Sequence, residues 1–517
     1  MLQIRSSVIA LFTVAGALCA APVAGAASSC ATLTKFSMPD HRVVIRQSQD
    51  IPASAAGVAP SVPAHCRVDG VINERVGRDG KPYGIGFAVA LPANWNGRFL
   101  FQGGGGLNGS VQPPVGGAYA GEKSALMRGF AVASTDSGHH GEGFDASFLR
   151  DQQAALDFLY QAVGEVTVVA KAIVANHYGK PQAHAYFVGC STGGREAMIM
   201  SQRFPDYYDG IVAGAPAART SFSNLGLRYA TTALNAIAPR DAQGKPQTRA
   251  ALSDTDRRLL VDGVLNACDG IDGNKDGLIF APQECTFDPG TLACAGEKND
   301  RCLSQAQVNT VRTVMRGPRT SAGRQVYPGY YYDTGIANTK GLPGVLAGPL
   351  IPEGPPAGTT FDVDAAAADA MDARAMVGDS SAWTNLSTYR GHGGKLIFVH
   401  GVSDPWFSAQ ETVRYYQQLR HDNPEVPLAQ WSRLFLVPGM GHCAGGARTL
   451  DQFDMLSAVV DWVEADRAPD RVIATGKSAP GESRPLCPFP AYAHFEGSAD
   501  AHDAASYTCR EPAAAGQ

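Results

Sequence analysis

The sequence predicts an α/β fold centred on a parallel sheet with helices packed on it. Short continuous apolar runs recur along the chain and stop at glycine-rich or polar turns, the pattern of strands buried on both faces. Between two of them lies a long stretch with apolar residues at helical spacing, and alternating strands and helices imply parallel pairing. At 517 residues the chain exceeds one simple domain, so a large core with a substantial insertion is expected.

The runs follow in order. Arg98-Phe99-Leu100-Phe101 leads into Gly103-Gly104-Gly105-Gly106, and Phe130-Ala131-Val132-Ala133 leads into Thr135-Asp136-Ser137-Gly138-His139. Residues 151–177 carry Leu156, Leu159, Val163, Val166, Ala170, Ile173 and Val174 on one helical face, with Gly179 as the expected C-cap. Ala185-Tyr186-Phe187-Val188 ends at Ser191, and Gly210-Ile211-Val212-Ala213 ends at Gly214-Ala215-Pro216. After residue 217 strand-like runs become scarce, while Gly, Pro, Asp and local cysteines accumulate. This stretch is expected to be a lid over the carboxyl edge of the sheet, with residues 343–360 irregular. The sheet resumes with Lys395-Leu396-Ile397-Phe398-Val399 and Arg433-Leu434-Phe435-Leu436-Val437. The expected organisation is a leader over 1–26, a first sheet segment over 27–216, the lid over 217–386 and a second sheet segment over 387–517, with residues 513–517 frayed.

Hydrophobic residues make up 44% of the chain, a globular composition, and the net charge is −5 without any Lys/Arg run. Nucleic acid and anionic membrane are therefore not expected partners. Arg5, the apolar residues 8–18 and Ala24-Gly25-Ala26 form the pattern of a cleaved export signal. The apolar stretch is too short to anchor in a bilayer, Leu18 fits lipoprotein processing at Cys19 poorly, and no later segment reads as transmembrane. The protein is expected to be secreted or periplasmic. Ten of the 11 cysteines remain after the signal: Cys30, Cys66, Cys190, Cys268, Cys285, Cys294, Cys302, Cys443, Cys487 and Cys509. An even number in an exported chain suggests disulfides. Sequence leaves the pairing open; proximity favours Cys30–Cys66, Cys268–Cys285, Cys294–Cys302 and Cys487–Cys509, which leaves Cys190 and Cys443.

Ser191 sits in Gly189-Cys190-Ser191-Thr192-Gly193, a G-x-S-x-G turn between a strand and a helix. A serine hydroxyl attacks only when a base takes its proton and a carboxylate orients that base. His442 and Asp404 each close an apolar run, and the order Ser, Asp, His is that of the α/β-hydrolase fold. Each is also an ordinary turn residue when taken alone; the joint order and strand-end placement favour catalysis. Asp451 and Asp454 are rival carboxylates by type, but both follow His442. The oxyanion needs N–H donors, for which the backbone of Thr192 and of Gly105 in the early glycine loop are the candidates. Asp272, Asn274 and Asp276 alternate, with Gly277 next, like the first half of an EF-hand loop. The twelfth position is Gln283 rather than Glu, so Asp269 is the substitute carboxylate, and the carbonyls of Asn274 and Leu278 complete a structural Ca²⁺ site. A plain Asp/Asn-Gly turn cluster is the alternative.

These residues resemble the tannase/feruloyl esterase family of α/β-hydrolases over nearly the whole mature chain. The resemblance rests on Trp95-Asn96-Gly97-Arg98-Phe99-Leu100, Gly189-Cys190-Ser191-Thr192-Gly193-Gly194-Arg195-Glu196, Ser403-Asp404-Pro405, Pro438-Gly439-Met440-Gly441-His442-Cys443 and Pro485-Leu486-Cys487-Pro488-Phe489-Pro490. It implies a Ser191/Asp404/His442 triad, a Cys190–Cys443 bond, a Ca²⁺-bearing lid and small aromatic-acid esters of feruloyl, galloyl or terephthaloyl type as substrates. Residues 394–455 look like the mono(2-hydroxyethyl) terephthalate (MHET) hydrolases, with Phe407 placed to stack on an aromatic acyl group. Trp383 and Tyr330 to Tyr332 are candidates to line an aromatic pocket. The carboxylate-binding arginine of the MHET hydrolases finds only Arg374 as a candidate by charge, since the comparable stretch, residues 341–360, is short and Pro/Gly-rich. The implied activity is serine carboxylic ester hydrolysis, with an MHET hydrolase proper as a variant and peptide hydrolysis sharing the chemistry. A Ca²⁺-dependent binding module on an inactive scaffold is the alternative of another class.

Overall fold

The chain enters its sheet through three antiparallel strands, β1 (Val43–Ile51), β2 (His65–Val76) and β3 (Pro82–Pro92). The six apolar runs follow as β4 (Arg98–Gln102), β5 (Ala131–Thr135), β6 (His184–Cys190), β7 (Gly210–Gly214), β8 (Lys395–Gly401) and β9 (Ser432–Val437). The sheet order is β1-β2-β3-β5-β4-β6-β7-β8-β9, and every pair from β5 through β9 is parallel. The expected parallel sheet is thus a mixed one. β1 and β2 mix polar and apolar positions, and β2 and β3 are joined only by residues 77–81, a link short enough for antiparallel neighbours. The computed structural model describes residues 29–54, 61–348, 358–497 and 499–513. The expected leader, residues 349–357 of the irregular stretch and residues 514–517 of the tail lie outside them.

Alternation along the central strands divides the core into two layers. Phe99, Phe101, Phe187, Ile211, Phe398 and Leu434 point to one face. Leu100, Tyr186, Val188, Val212, Ile397, Val399 and Phe435 point to the other. The first face is covered by the helical stretch Gln152–Tyr178 and by helices Thr192–Arg203 and Ala409–Asp422, the second by helix Met455–Ala465. By length and composition Gln152–Tyr178 is apolar enough to cross a membrane, which corrects the expectation that no such segment follows the leader. Here Val163, Val166, Ala170 and Ile173 are buried against the sheet, so the same apolarity serves a core helix. Gly179 ends it at φ +70°. One turn, Asp157–Gln161, is π-helical, and Arg195 donates to its Phe158 and Leu159 carbonyls at 3.0 and 2.7 Å.

Between β7 and β8, in the segment expected as a lid, helices Thr220–Ile237, Asp254–Cys268 and Gln305–Arg316 occur, and no named strand among the described residues. Ser253 and Ser304 start the latter two with reciprocal capping boxes. Leu252, Leu260, Val264, Val308, Val311 and Ile336 form a separate apolar cluster there. After helix Met455–Ala465 the chain ends in two small antiparallel sheets, β10 (Val472–Gly476) with β11 (Ala479–Leu486) and β12 (Tyr492–Phe495) with β13 (Tyr507–Arg510).

Candidate active site

Ser191 follows β6 at φ +65°, ψ −123° and opens helix Thr192–Arg203. A non-glycine residue at positive φ is strained, and the turn holds it because glycines remove every competing Cβ. A Cβ on Gly189 would lie 2.4 Å from the Gly193 carbonyl oxygen, and one on Gly194 would lie 2.2 Å from that of Gly214. The turn is pinned by Ser191 N–H donating to Gly214 O at 3.1 Å and Gly193 N–H to Gly104 O at 3.0 Å.

Asp404 follows β8 and His442 follows β9. His442 Nδ1 lies 2.7 Å from Asp404 Oδ2. The other carboxylate oxygen, Oδ1, accepts the Trp406 and Phe407 N–H groups at 2.8 and 3.1 Å. His400 Nε2 stands 3.4 Å from Oδ2. Burial alone would raise the Asp404 pKa. The charges and hydrogen bonds of His442 and His400 outweigh it and hold the carboxyl well below its usual range. Neither rival carboxylate meets His442: Asp451 accepts Gly445 N–H, and Asp454 pairs with Arg128. His442 Nε2 is buried and has no hydrogen-bond partner among the described residues.

The ten cysteines pair as Cys30–Cys66, Cys190–Cys443, Cys268–Cys285, Cys294–Cys302 and Cys487–Cys509. Cys190–Cys443 joins the immediate neighbours of Ser191 and His442, with Cα atoms 6.0 Å apart. Tyr119 O–H donates to Cys190 Sγ at 2.9 Å and braces the bond from below.

The two oxyanion candidates lie on facing loops. Thr192 is the first residue of its helix, where N–H groups lack intrahelical partners, and its hydroxyl donates to Gly106 O. Gly105 is exposed, with open space around its Cβ position. The glycine loop is held by Glu196, a fully buried carboxylate in helix Thr192–Arg203. It accepts Gly104 N–H at 2.8 Å, Asn108 Nδ2 at 3.1 Å and Ser137 Oγ at 3.1 Å. Burial raises the Glu196 pKa despite these donors and Arg195 nearby.

Phe407 and Trp406 flank His442, with ring centroids 5.2 and 4.9 Å from the imidazole. Phe144, 46% exposed, meets Trp406 edge-on at 6.3 Å. Its loop lies on the glycine loop through Leu107 N–H to Gly143 O at 2.9 Å. Trp383 is elsewhere, which corrects the pocket expectation. It is 59% exposed, and its carbonyl accepts from Tyr415 O–H and Gln202 Nε2, the latter about 16 Å along the helix from Ser191. Aromatic type alone could not place it. Tyr330 is buried, with its hydroxyl on the Pro405 carbonyl. Arg374 is 92% exposed at its side chain and paired with Asp372.

Among the described residues no three carboxylate, imidazole or thiolate groups form a ready metal cluster. The loop of residues 269–278 nonetheless carries two buried carboxylates, Asp269 and Asp272, that pair with no Lys or Arg among the described residues. They accept N–H groups of Gly277, Asn274 and Phe280. Burial pushes Asp272 up to about 7 against these hydrogen bonds, the charges of Asp276 and Asp269 adding to it, and raises Asp269 as well. Such uncompensated carboxylates fit an oxygen-seeking cation. Asp276 is already paired with Arg484 at 2.5 Å, and the Asn274 amide donates to Asp276 and Tyr507.

Sequence reasoning singled out neither Trp406, although it lies two residues after Asp404, nor Phe144, Tyr119, His400 and Asp333. Glu196 stood in the nucleophile motif without a role.

The family described as tannase and feruloyl esterase matches residues 66–348 and 357–510. The chain is 37% identical over 528 residues to a mono(2-hydroxyethyl) terephthalate hydrolase of Piscinibacter sakaiensis, covering 89% of this chain and 87% of that protein. It is 30% identical over 508 residues to a probable feruloyl esterase B-2 of Aspergillus terreus, covering 89% of each. The solved feruloyl esterase B from Aspergillus oryzae aligns with a TM-score of 0.74 at 27% identity, over 93% of this chain and 99% of that one. A tannin acyl hydrolase from Aspergillus niger, 23% identical with a TM-score of 0.66 over 91% and 92% of the two chains, shares the fold. A strained G-x-S-x-G turn, a His–Asp pair and a disulfide between their loops thus stand on a chain that belongs to the tannase and feruloyl esterase family and is an ester hydrolase of the α/β class.

Proposed function

We propose that this chain is an exported serine esterase that hydrolyses small aromatic-acid esters through Ser191, His442 and Asp404. The observation that carries this reading is the 2.7 Å contact of His442 Nδ1 with Asp404 Oδ2, on a loop disulfide-bonded to the neighbour of Ser191. His442 Nε2 takes the Ser191 hydroxyl proton while Oγ bonds to the ester carbonyl carbon. The N–H groups of Thr192 and Gly105 hold the oxyanion. The C–O bond to the alcohol then breaks, and His442 returns the proton to the leaving oxygen. Water, deprotonated by His442, cleaves the acyl-enzyme. Asp404 keeps the imidazole in one tautomer and stabilises its cation throughout.

Phe144, Trp406 and Phe407 offer apolar faces beside His442, which supports an aromatic substrate. A terephthaloyl monoester, the substrate named for the Piscinibacter relative, is the second reading, favoured by 37% identity to that protein. Export is supported by the five disulfides. Ca²⁺ would be held by Asp269, Asp272 and Asp276 with the Asn274 and Leu278 carbonyls. It would supply charge compensation to the lid, away from the ester.

The test is steady-state hydrolysis of methyl gallate, methyl ferulate, MHET and a short aliphatic nitrophenyl ester by the wild type and by Ser191→Ala. A high kcat/KM on one aromatic ester, lost by about 10³-fold or more in the variant, is expected. Retention of most turnover by Ser191→Ala would sink the assignment.

A further inference from the structure

The loops that carry Asp404 and His442 share a carboxylate that belongs to neither. Asp333 lies between β7 and β8, in the segment expected as a lid, and is 0% exposed. Its Oδ2 accepts the Ser403 hydroxyl at 2.6 Å and the Gly439 N–H at 2.7 Å. Ser403 immediately precedes Asp404, and Gly439 lies on the turn that leads to His442. Ser403 Oγ also accepts Gly335 N–H at 3.0 Å, so the connection returns to the segment that holds Asp333. The approach leaves no spare room. A Cβ on Gly335 would lie 2.6 Å from Ser403 Oγ, and Gly439 turns at φ +68° with its Cβ position 2.0 Å from the Arg448 carbonyl oxygen.

We propose that Asp333 is a positioning residue for ester hydrolysis: by accepting from Ser403 and Gly439 together, it sets the spacing of the acid and base loops on which the Asp404–His442 contact depends. This rests on the triad reading above. Ser403 N–H to Met440 O, at 3.0 Å, is a further backbone tie between the two loops. Without the carboxylate, two buried donors lose their acceptor and the loops lose their common anchor. A misplacement near 1 Å at the reacting groups costs about 100-fold in rate. A residue that only fastened the insertion to the sheet would change melting and leave the kcat of the folded enzyme intact.

The full chain is compared with Asp333→Ala, Asp333→Asn and Ser403→Ala on methyl ferulate and 4-nitrophenyl acetate, below the melting temperature of each variant. Asparagine keeps an oxygen where Oδ2 stands, and its amide nitrogen falls where Oδ1 has no hydrogen-bond partner among the described residues. Asp333→Ala is expected to lower kcat about 100-fold on both esters with KM within about twofold. Asp333→Asn restores kcat to within about fivefold of wild type, and Ser403→Ala falls between the two. A folded Asp333→Ala with wild-type kcat overturns the proposal, as does equal loss in the Asn and Ala variants, which would assign the effect to charge. If Asp333→Ala does not fold, Ser403→Ala decides, and wild-type kcat there overturns it. Ser191→Ala run alongside separates the two claims. Turnover surviving in Ser191→Ala removes the triad reading, whereas its loss beside an unimpaired Asp333→Ala removes only the role of Asp333.

Discussion

Asp404 and Asp136 are both buried aspartates with opposite electrostatics, and the difference lies in their neighbours. Asp404 faces two imidazoles and is held ionised. Asp136 accepts Gly86 and Gly138 N–H groups on Oδ1, while Oδ2 has no hydrogen-bond partner among the described residues. Burial pushes it up to about 7 against those two hydrogen bonds. Its folded pKa lies above the unfolded one, so its contribution to stability is complete below about pH 4 and is lost as pH rises through about 7. Asp404 acts in the opposite sense, but only at acid pH; His139, which burial pushes down to about 4, also opposes it up to about pH 6.5, so the difference between wild type and Asp136→Asn, not the wild-type trend alone, reports Asp136. From about pH 5 to 8, urea unfolding midpoints should fall less for Asp136→Asn, which keeps an acceptor at Oδ1, than for the wild type. Parallel pH profiles for the two proteins would refute the assignment.

At the scale of elements, the nucleophile turn is built from both sides. Glycines at 189, 193 and 194 let the turn close, Glu196 fastens the glycine loop to the same helix, and Cys190–Cys443 fastens the turn to the base loop. The bond spans 253 residues of sequence, so the chain-entropy view assigns it up to about 5 kcal/mol of stability. Its role in catalysis is separable from that. In Cys190→Ser/Cys443→Ser the melting temperature should drop. At a temperature where circular dichroism still reports a native fold, kcat should be reduced by at least about tenfold, because the Ser191 and His442 loops are no longer held together. Wild-type kcat in the folded variant would show that the bond acts on stability alone.

For the whole molecule, the segment between β7 and β8 has its own apolar cluster, yet it reaches the Asp404 and His442 loops through Asp333 and the chain's C-terminal sheets through Asp276 and Arg484. The proposed Ca²⁺ site sits at the second of these junctions. A cation bound only by the folded state stabilises it by about 2.7 kcal/mol at 100 times its Kd. Melting in millimolar Ca²⁺ should therefore exceed melting in EDTA by several degrees, and Asp272→Asn should erase most of the difference. Identical curves in Ca²⁺ and EDTA would count against the site.

The sequence by itself determined the six central strands, the long core helix and the Ser191, Asp404 and His442 positions at strand ends. These signals are local, since an apolar run and its terminating turn are contiguous in the chain. It did not reveal β1 and β2, whose half-polar faces blur the alternation, nor β3, although that run is apolar and buried at all but its first residue, and it misplaced Trp383, because an aromatic residue reads alike in a pocket or on a surface. The tertiary structure alone decided the partners of buried polar groups. Asp333 lies 70 and 106 residues from the groups it holds, and Phe144 meets Trp406 only because folding brings together two loops distant in sequence. Burial turns such pairings into strong interactions, and burial depends on how the whole chain packs.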